Sequence, residues 1–230
     1  MAKHIGIVAC SAEGAALCYR TICSEGAELM GAHAHPEVSM HTHPLSEYMD
    51  YIYKNKWKGV AKLMLSSAQK LKSAGSDFLI CPDNTIHEVF DKVEKASPLP
   101  WLNIASEVAS EAKRQGFKKT AILGTQYLMT GKVYVEACKT AGLKHMIPTK
   151  AVRERIDRII FKELVYGKIR EESKKYLHTQ IKILADKGCD SVVLGCTELP
   201  LIMLPGESPM PLLDSTRILA RAALRHALGK

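Results

Sequence analysis

At 230 residues the chain can form one large α/β domain or two small ones, and its 47% hydrophobic and 24% charged residues exclude a disordered protein. The net charge of +8 is dispersed over pairs such as Lys118-Lys119 and Lys174-Lys175. With no dense basic stretch interleaved with aromatics, nucleic acid is not an expected partner, and the basic surface is read as one that draws in small anions. No apolar run approaches the roughly 18 residues of a membrane span, and Met1-Ala2-Lys3-His4-Ile5-Gly6 enters a strand pattern without room for a signal peptide. The seven cysteines (Cys10, Cys18, Cys23, Cys81, Cys138, Cys189 and Cys196) show no framework spacing, so free thiols in a cytoplasmic, soluble protein are expected.

The strand-like runs in chain order are Ile5-Gly6-Ile7-Val8, Val38-Ser39-Met40, Asp77-Phe78-Leu79-Ile80, Trp101-Leu102-Asn103, Ala121-Ile122-Leu123, Ser191-Val192-Val193-Leu194 and Pro211-Leu212-Leu213. Helical periodicity fills residues 59–74, 105–115, 157–166, 171–187 and 217–228 between and after them. Such alternation predicts βαβ units, and continuous apolar strands predict parallel sheets covered on both faces.

An internal echo divides the chain. Gly75-Ser76-Asp77-Phe78-Leu79-Ile80-Cys81-Pro82-Asp83-Asn84-Thr85 aligns without gaps with Gly188-Cys189-Asp190-Ser191-Val192-Val193-Leu194-Gly195-Cys196-Thr197-Glu198. Leu99-Pro100-Trp101-Leu102-Asn103 then echoes Met210-Pro211-Leu212-Leu213-Asp214, and residues 119–125 loosely repeat residues 3–9. Matches in one order predict a duplicated half-domain rather than a short-period solenoid. The expected organisation is a first α/β half at 1–104, joined by the C-terminal helix at 215–230, and a second at 105–214. Ligands of parallel sheets bind beyond the carboxyl ends of the strands. If a pseudo-two-fold axis relates the halves, the loops 81–87 and 195–199 face each other, with Asp83 and Cys196 flanking one substrate.

Those loops, with 9–14 and 125–130, offer particular chemistry. Cys196 lies at a strand end beside a helix start, where backbone N–H groups and the helix dipole favour a thiolate. Asp83 can serve as an acid or base, or can simply cap a turn. Thr85, Thr125, Thr130 and Thr197 are hydroxyl donors for a carboxylate. Ser11 stands in the loop after the first strand, and His41 or His43 at a strand end can contact substrate. His33-Ala34-His35 and His41-Thr42-His43 have no Cys or carboxylate at a metal-ligand spacing, so no metal is expected. Neither a GxGxxG nor a GxxxxGK[ST] phosphate loop is present.

The chain resembles the aspartate/glutamate racemase family, within the wider group of hydantoin racemases, maleate isomerases and arylmalonate decarboxylases. Leu194-Gly195-Cys196-Thr197-Glu198 resembles the family's Gly-Cys-Thr-Glu motif, and Asp83-Asn84-Thr85-Ile86-His87 its Cys-Asn-Thr-x-His motif except at the opening residue. Leu123-Gly124-Thr125 with Thr130, and Leu213-Asp214-Ser215-Thr216, resemble two further loops, whereas Ala9-Cys10-Ser11-Ala12 departs from the usual Gly-Gly-Met run. The resemblance implies two flavodoxin-like halves with the active site in the cleft between them, and an often dimeric, cofactor-independent enzyme without pyridoxal phosphate. It further implies amino-acid or dicarboxylate substrates and two opposed cysteines that exchange a proton at Cα. In this sequence those positions are Asp83 and Cys196. Asn84, Thr85, Thr125 and Thr197 are then expected to hold the α-carboxylate. Glu198 is expected to orient the ammonium group or order its loop, and Arg155 to approach a side-chain carboxylate.

Free Asp titrates near 3.9 and free Cys near 8.5, so the exchange removes about 6 kcal/mol of proton affinity. Burial can return up to roughly 3–5 units. The expected function is an aspartate/glutamate-type racemase, with a decarboxylase or cis–trans isomerase using Cys196 alone as the alternative. A non-catalytic binding protein that kept the cleft is the third possibility.

Overall fold

The computed structural model describes residues 2–230. The chain divides into two units, Met1–Ile104 with Thr216–Lys230, and Ala105–Ser215. The first is built from β1 (Ile5–Ala9), α1 (Ala12–Met30), β2 (Val38–Thr42), α2 (Leu45–Tyr53), α3 (Trp57–Ser73), β3 (Phe78–Ile80), a 3-10 turn (Thr85–Val89), α4 (Phe90–Ala96) and β4 (Trp101–Leu102). α5 (Ile104–Arg114) opens the second, followed by β5 (Lys119–Leu123), α6 (Gln126–Thr130), α7 (Val133–Ala141), β6 (Lys144–Met146) and α8 (Lys150–Lys162). A 3-10 turn (Leu164–Tyr166), α9 (Glu171–Asp186), β7 (Ser191–Leu194), α10 (Leu199–Ile202) and β8 (Leu212–Asp214) complete it. α11 (Ser215–Ala227) then packs on the first unit, where Lys3 N donates to Ala227 O at 2.9 Å and Arg221 Nε to Glu25 Oε2 at 2.7 Å.

Each unit holds a four-stranded sheet, ordered β2-β1-β3-β4 in one and β6-β5-β7-β8 in the other, with every pairing parallel. β1, β3, β5 and β7 are almost wholly buried, as their unbroken apolar runs predict for sheets covered on both faces. The helices close over them on stripes of helical spacing. α3 buries Val60, Met64, Ala68 and Leu71, α8 buries Ile156, Ile159 and Ile160, and α9 buries Leu177, Ile181 and Leu184. In the first core Ile5, Ile7, Phe78 and Ile80 pack against Cys18 and Ile22 of α1 and Leu219, Ala223 and Leu224 of α11.

The echo acquires a physical meaning here. Gly75 ends its helical segment at φ +91° and Gly188 at φ +83°, a left-handed conformation that side chains resist. Two residues on, Asp77 Oδ2 accepts the backbone N–H of His4 at 2.7 Å, and Asp190 Oδ2 that of Lys118 at 2.6 Å. The backbone answers in kind: Asp77 N donates to His4 O, and Asp190 N to Lys119 O, each at 2.9 Å. Each aspartate thus clasps the start of one central strand to the start of the other.

Three elements differ from expectation. β6 carries Lys, His and Met, which lack the β-branched signature, and it lies at a sheet edge where little burial is demanded. The helix expected at 157–166 is α8, which runs from Lys150 to Lys162 and gives way to a 3-10 turn before Gly167, at φ +68°. The expected loop 125–130 is the short helix α6 from Gln126 onward.

Removing either clasp strands a backbone donor, a loss of about 1–2 kcal/mol for a charge-assisted bond at a partly exposed position. Asp77→Ala and Asp190→Ala should each lower the urea midpoint accordingly. Midpoints equal to wild type would show that water replaces the carboxylates without cost.

Candidate active site

Asp83 and Cys196 occupy corresponding places in the two units, just beyond the carboxyl ends of β3 and β7, the strands paired to β1 and β5 on the same side of each order. In the first unit, Asp83 is half-buried and its Oδ1 accepts from Ile86 N at 3.2 Å, the turn-capping bond open to any Asp at such a position. Its carbonyl accepts from His87 Nδ1 at 2.6 Å. A carbonyl can only accept, so the ring hydrogen lies on Nδ1 and leaves Nε2 to accept from Ile104 N at 3.5 Å. His87 is thereby strapped between the Asp83 turn and the start of α5, and its ring stacks on Phe90 at 5.0 Å. Burial lowers the His87 pKa to about 4, so the ring is neutral at pH 7. Asn84 is buried beside it and Thr85 is half-buried in the same turn. Cys81 is fully buried, and burial first, then the charge of Asp83, push its thiol well above its ordinary range. Cys81 therefore keeps its proton.

In the second unit the chain needs glycine to leave the strand. Gly195 N donates to Leu123 O at 2.7 Å, and a Cβ there would come within 2.9 Å of that oxygen and strike Leu128. A Cβ on Gly124 would sit 3.0 Å from Gly195 O. Both motif glycines therefore serve the close pass of the β5 and β7 ends. Half-buried Cys196 follows, its Sγ donating to Glu198 Oε2 at 2.8 Å, while Thr197 Oγ1 donates to the same oxygen at 2.9 Å. Glu198 is 5% exposed, and its Oε2 accepts both of these hydrogens. Its place is to order the Cys196 loop. As a carboxylate it sets a negative charge beside the sulfur, which opposes thiolate formation, whereas the strand-end position suggested thiolate stabilisation. On the β8 side Ser215 Oγ donates to Leu194 O at 2.8 Å.

The remaining expected site residues are distributed by their local bonds. Ser11 caps α1, accepting from Gly14 N at 3.3 Å, and Thr125 caps α6, accepting from Leu128 N at 3.2 Å. Thr130 is exposed within α6 and donates to Gln126 O at 2.7 Å. Arg155 pairs with Glu172 at 3.1 Å and lies over the Tyr176 ring, on the α9 side of α8. His41 and His43 do share a side, with rings 4.9 Å apart, but they turn onto α3, where His41 Nδ1 meets Ser67 Oγ at 2.9 Å. The strap formed by His87 had a sequence signal, a histidine four residues after Asp83 inside the quoted motif. Tyr48 of α2, whose buried hydroxyl is left without a hydrogen-bond partner, had none, because an aromatic on a helix face reads as core. All seven cysteines stand as thiols. Among the described residues, no group of three or more His, Cys, Asp or Glu is arranged to hold a metal ion, and no helix is long and apolar enough to cross a membrane.

Residues 7–223 match the model of the Asp/Glu/hydantoin racemase family, and the chain belongs to that family. It is similar to the broad specificity amino-acid racemase RacX of Bacillus subtilis, 24% identical over 170 residues that cover 73% of this chain and 72% of that one. Among solved structures it is similar to a protein of Yersinia pestis assigned to the Asp/Glu racemases, with TM-score 0.90, 32% identity and coverage of 98% and 99% of the two chains. An aspartate racemase homologue of Pyrococcus horikoshii follows at TM-score 0.85 and 29% identity, again covering 98% and 99%. Racemisation, the reaction class the motifs imply, is thus that of the relatives the chain matches.

Two outcomes test this geometry. His87 has a folded pKa below its unfolded value of about 6.5, so the unfolded state takes up its proton first as pH falls. Its share of stability is whole above pH 6.5 and disappears by about pH 4, a loss of roughly 3 kcal/mol. Urea unfolding at pH 7 and pH 4.5 should show a smaller acid loss in His87→Gln than in wild type, and an equal loss would refute the assignment. Separately, Glu198→Gln removes the charge beside the sulfur, so iodoacetamide should capture Cys196 several-fold faster at pH 7, on the order of one pKa unit of relief. An unchanged rate would mean that the Glu198 carboxyl does not hold the thiol proton.

Proposed function

We propose that this chain is a cofactor-independent amino-acid racemase for acidic or related amino acids, with Asp83 and Cys196 as the two acid–base groups at Cα. The observation that carries the reading is their equivalence: each follows the corresponding strand of a sheet of the same order, in halves that repeat one motif. Asn84, Thr85, Thr125 and Thr197 are the donors for the α-carboxylate.

The two groups are not interchangeable. Free carboxylic acids lose their proton near pH 4, and the Glu198 charge holds a proton on Cys196. The resting enzyme is then a base at Asp83 and an acid at Cys196. Asp83 takes the Cα proton and Cys196 returns one from its side, which leaves the opposite protonation pair to be reset before the next turnover in the same direction. The reverse reaction needs a protonated Asp83 and a Cys196 thiolate, the less populated pair. At saturating substrate the enzyme should turn over faster in one direction, with KM differing by the same factor, so that kcat/KM is equal both ways and the equilibrium between enantiomers stays at unity. Seven thiols without a disulfide support a reducing, cytoplasmic setting. The family resemblance supports a homodimer, which a light-scattering mass would check.

The test is deuterium uptake at Cα in heavy water, with single enantiomers of aspartate, glutamate and a wider amino-acid panel. Uptake should fall at least about a hundredfold in both Asp83→Asn and Cys196→Ser. No uptake by wild type from any amino acid would sink the proposal. A second reading rests on Asp83 standing where the motif has a thiol: one-sided proton chemistry through Cys196 alone. Carbon dioxide release from substituted malonates, or fumarate from maleate, lost in Cys196→Ser but kept in Asp83→Asn, would favour it.

A further inference from the structure

Helix α6 is too short to stand by itself. It has five residues, and isolated helices of fewer than about 12 residues are marginal in water, so contacts have to fix its place. Apolar packing holds its second half. Met129 joins the core formed with Ile156, Ile159 and Ile160 of α8, and Leu128 fills the space that a Cβ on Gly124 or Gly195 would take. The start of the helix lacks such packing, for Gln126 is exposed.

The backbone donors of that first turn find two different acceptors. Leu128 N donates to Thr125 Oγ1 at 3.2 Å, within the turn itself. Gln126 N donates to Asp157 Oδ1 at 2.8 Å, across 31 residues, and so ties the start of α6 to the middle of α8. Arg153, one helical turn before Asp157, is the ion-pair partner available on the same helix, yet its Nη1 donates to Pro148 O at 2.6 Å. Burial raises the Asp157 carboxyl above its ordinary pKa and the Gln126 bond works the other way, so burial alone disfavours a charged side chain there. The first unit needs no such tie. Its helix after β1 runs 19 residues, is capped by Ser11 and carries Glu13 in its own first turn, whereas the first turn of α6 holds no acid. Asp157 supplies that acid from a neighbouring helix.

We propose that Asp157 is a positioning residue for the candidate site, its carboxyl group fixing the start of α6 and, through it, the Thr125 side chain at the end of β5. The inference deepens the racemase reading and rests on Thr125 as a donor for the substrate's α-carboxylate. Thr125 directly precedes the tied amide, so a helix start that swings free carries the Thr125 hydroxyl away from the strand end. Cys196 is held separately, through Glu198, so substrate binding should suffer before the chemical step does.

The experiment compares Asp157→Ala, which removes the acceptor, with Asp157→Asn, whose side-chain oxygen can still accept. Amide hydrogen exchange over 126–131 in the whole protein should quicken about tenfold in Asp157→Ala and stay within about twofold of wild type in Asp157→Asn. That arm needs no turnover. Where wild type exchanges Cα protons, Asp157→Ala should raise KM for the amino acid about tenfold with kcat held within about twofold, and Asp157→Asn should keep KM near wild type. Melting temperatures should stay within about 4 °C of wild type, since Leu128 and Met129 keep α6 in place. An unmoved KM in an active Asp157→Ala enzyme would overturn the proposal and leave Asp157 a stabilising residue only. Equal losses in the two variants would overturn it too, because the charge and not the bond would then matter. If wild type racemises nothing while exchange quickens in Asp157→Ala and recovers in Asp157→Asn, the racemase reading fails and the tie between Asp157 and α6 stands.

Discussion

The arrangement depends on a small clasp made twice. A glycine in left-handed conformation ends the segment before β3 and β7, and the aspartate two residues later ties the start of one central strand to the start of its neighbour by both side chain and backbone. Parallel strands have no tight hairpin to set their register, so a contact at their common start has to do it. With the starts tied and the strands buried, the carboxyl ends emerge at corresponding points. Those points carry Asp83 and Cys196.

Equivalent backbone does not mean equivalent chemistry. The first unit secures its loop with a neutral histidine, which bonds the Asp83 carbonyl on one side and the α5 start on the other. The second secures its loop with a glutamate, one oxygen of which gathers the hydrogens of Cys196 and Thr197. One strap is a neutral ring and the other a carboxyl group next to the sulfur. The duplication thus supplies two positions, and each is held by a strap of different chemistry.

Both loops show the same trade between stability and function. Buried polar groups such as Glu198, Asn84 and Ser67 give up hydration, and only their hydrogen bonds offset that loss. Tyr48 is one of the exceptions among the described residues, a buried hydroxyl left without a bond. Proteins retain such local costs where a group is needed for something other than packing.

Much of this was legible in the residues alone. Unbroken apolar strands between helical stripes determined parallel sheets, the gapless echo determined two similar halves, and the echo alone paired Asp83 with Cys196, because strand periodicity and motif spacing are local properties. The motif glycines were equally visible, though their reason, the close pass of β5 and β7, was not. Only the tertiary structure decided the partners of the polar side chains. It made Ser11 and Thr125 helix caps, put Thr130 on its own helix, turned His41 onto α3, and set Glu198 under the Cys196 sulfur. It also left the Tyr48 hydroxyl buried without a bond, although nothing in the α2 pattern distinguished that tyrosine from core. A hydrogen bond needs its partner within about 3 Å, and for residues tens of positions apart that distance is set by how elements pack. Sequence spacing cannot carry it.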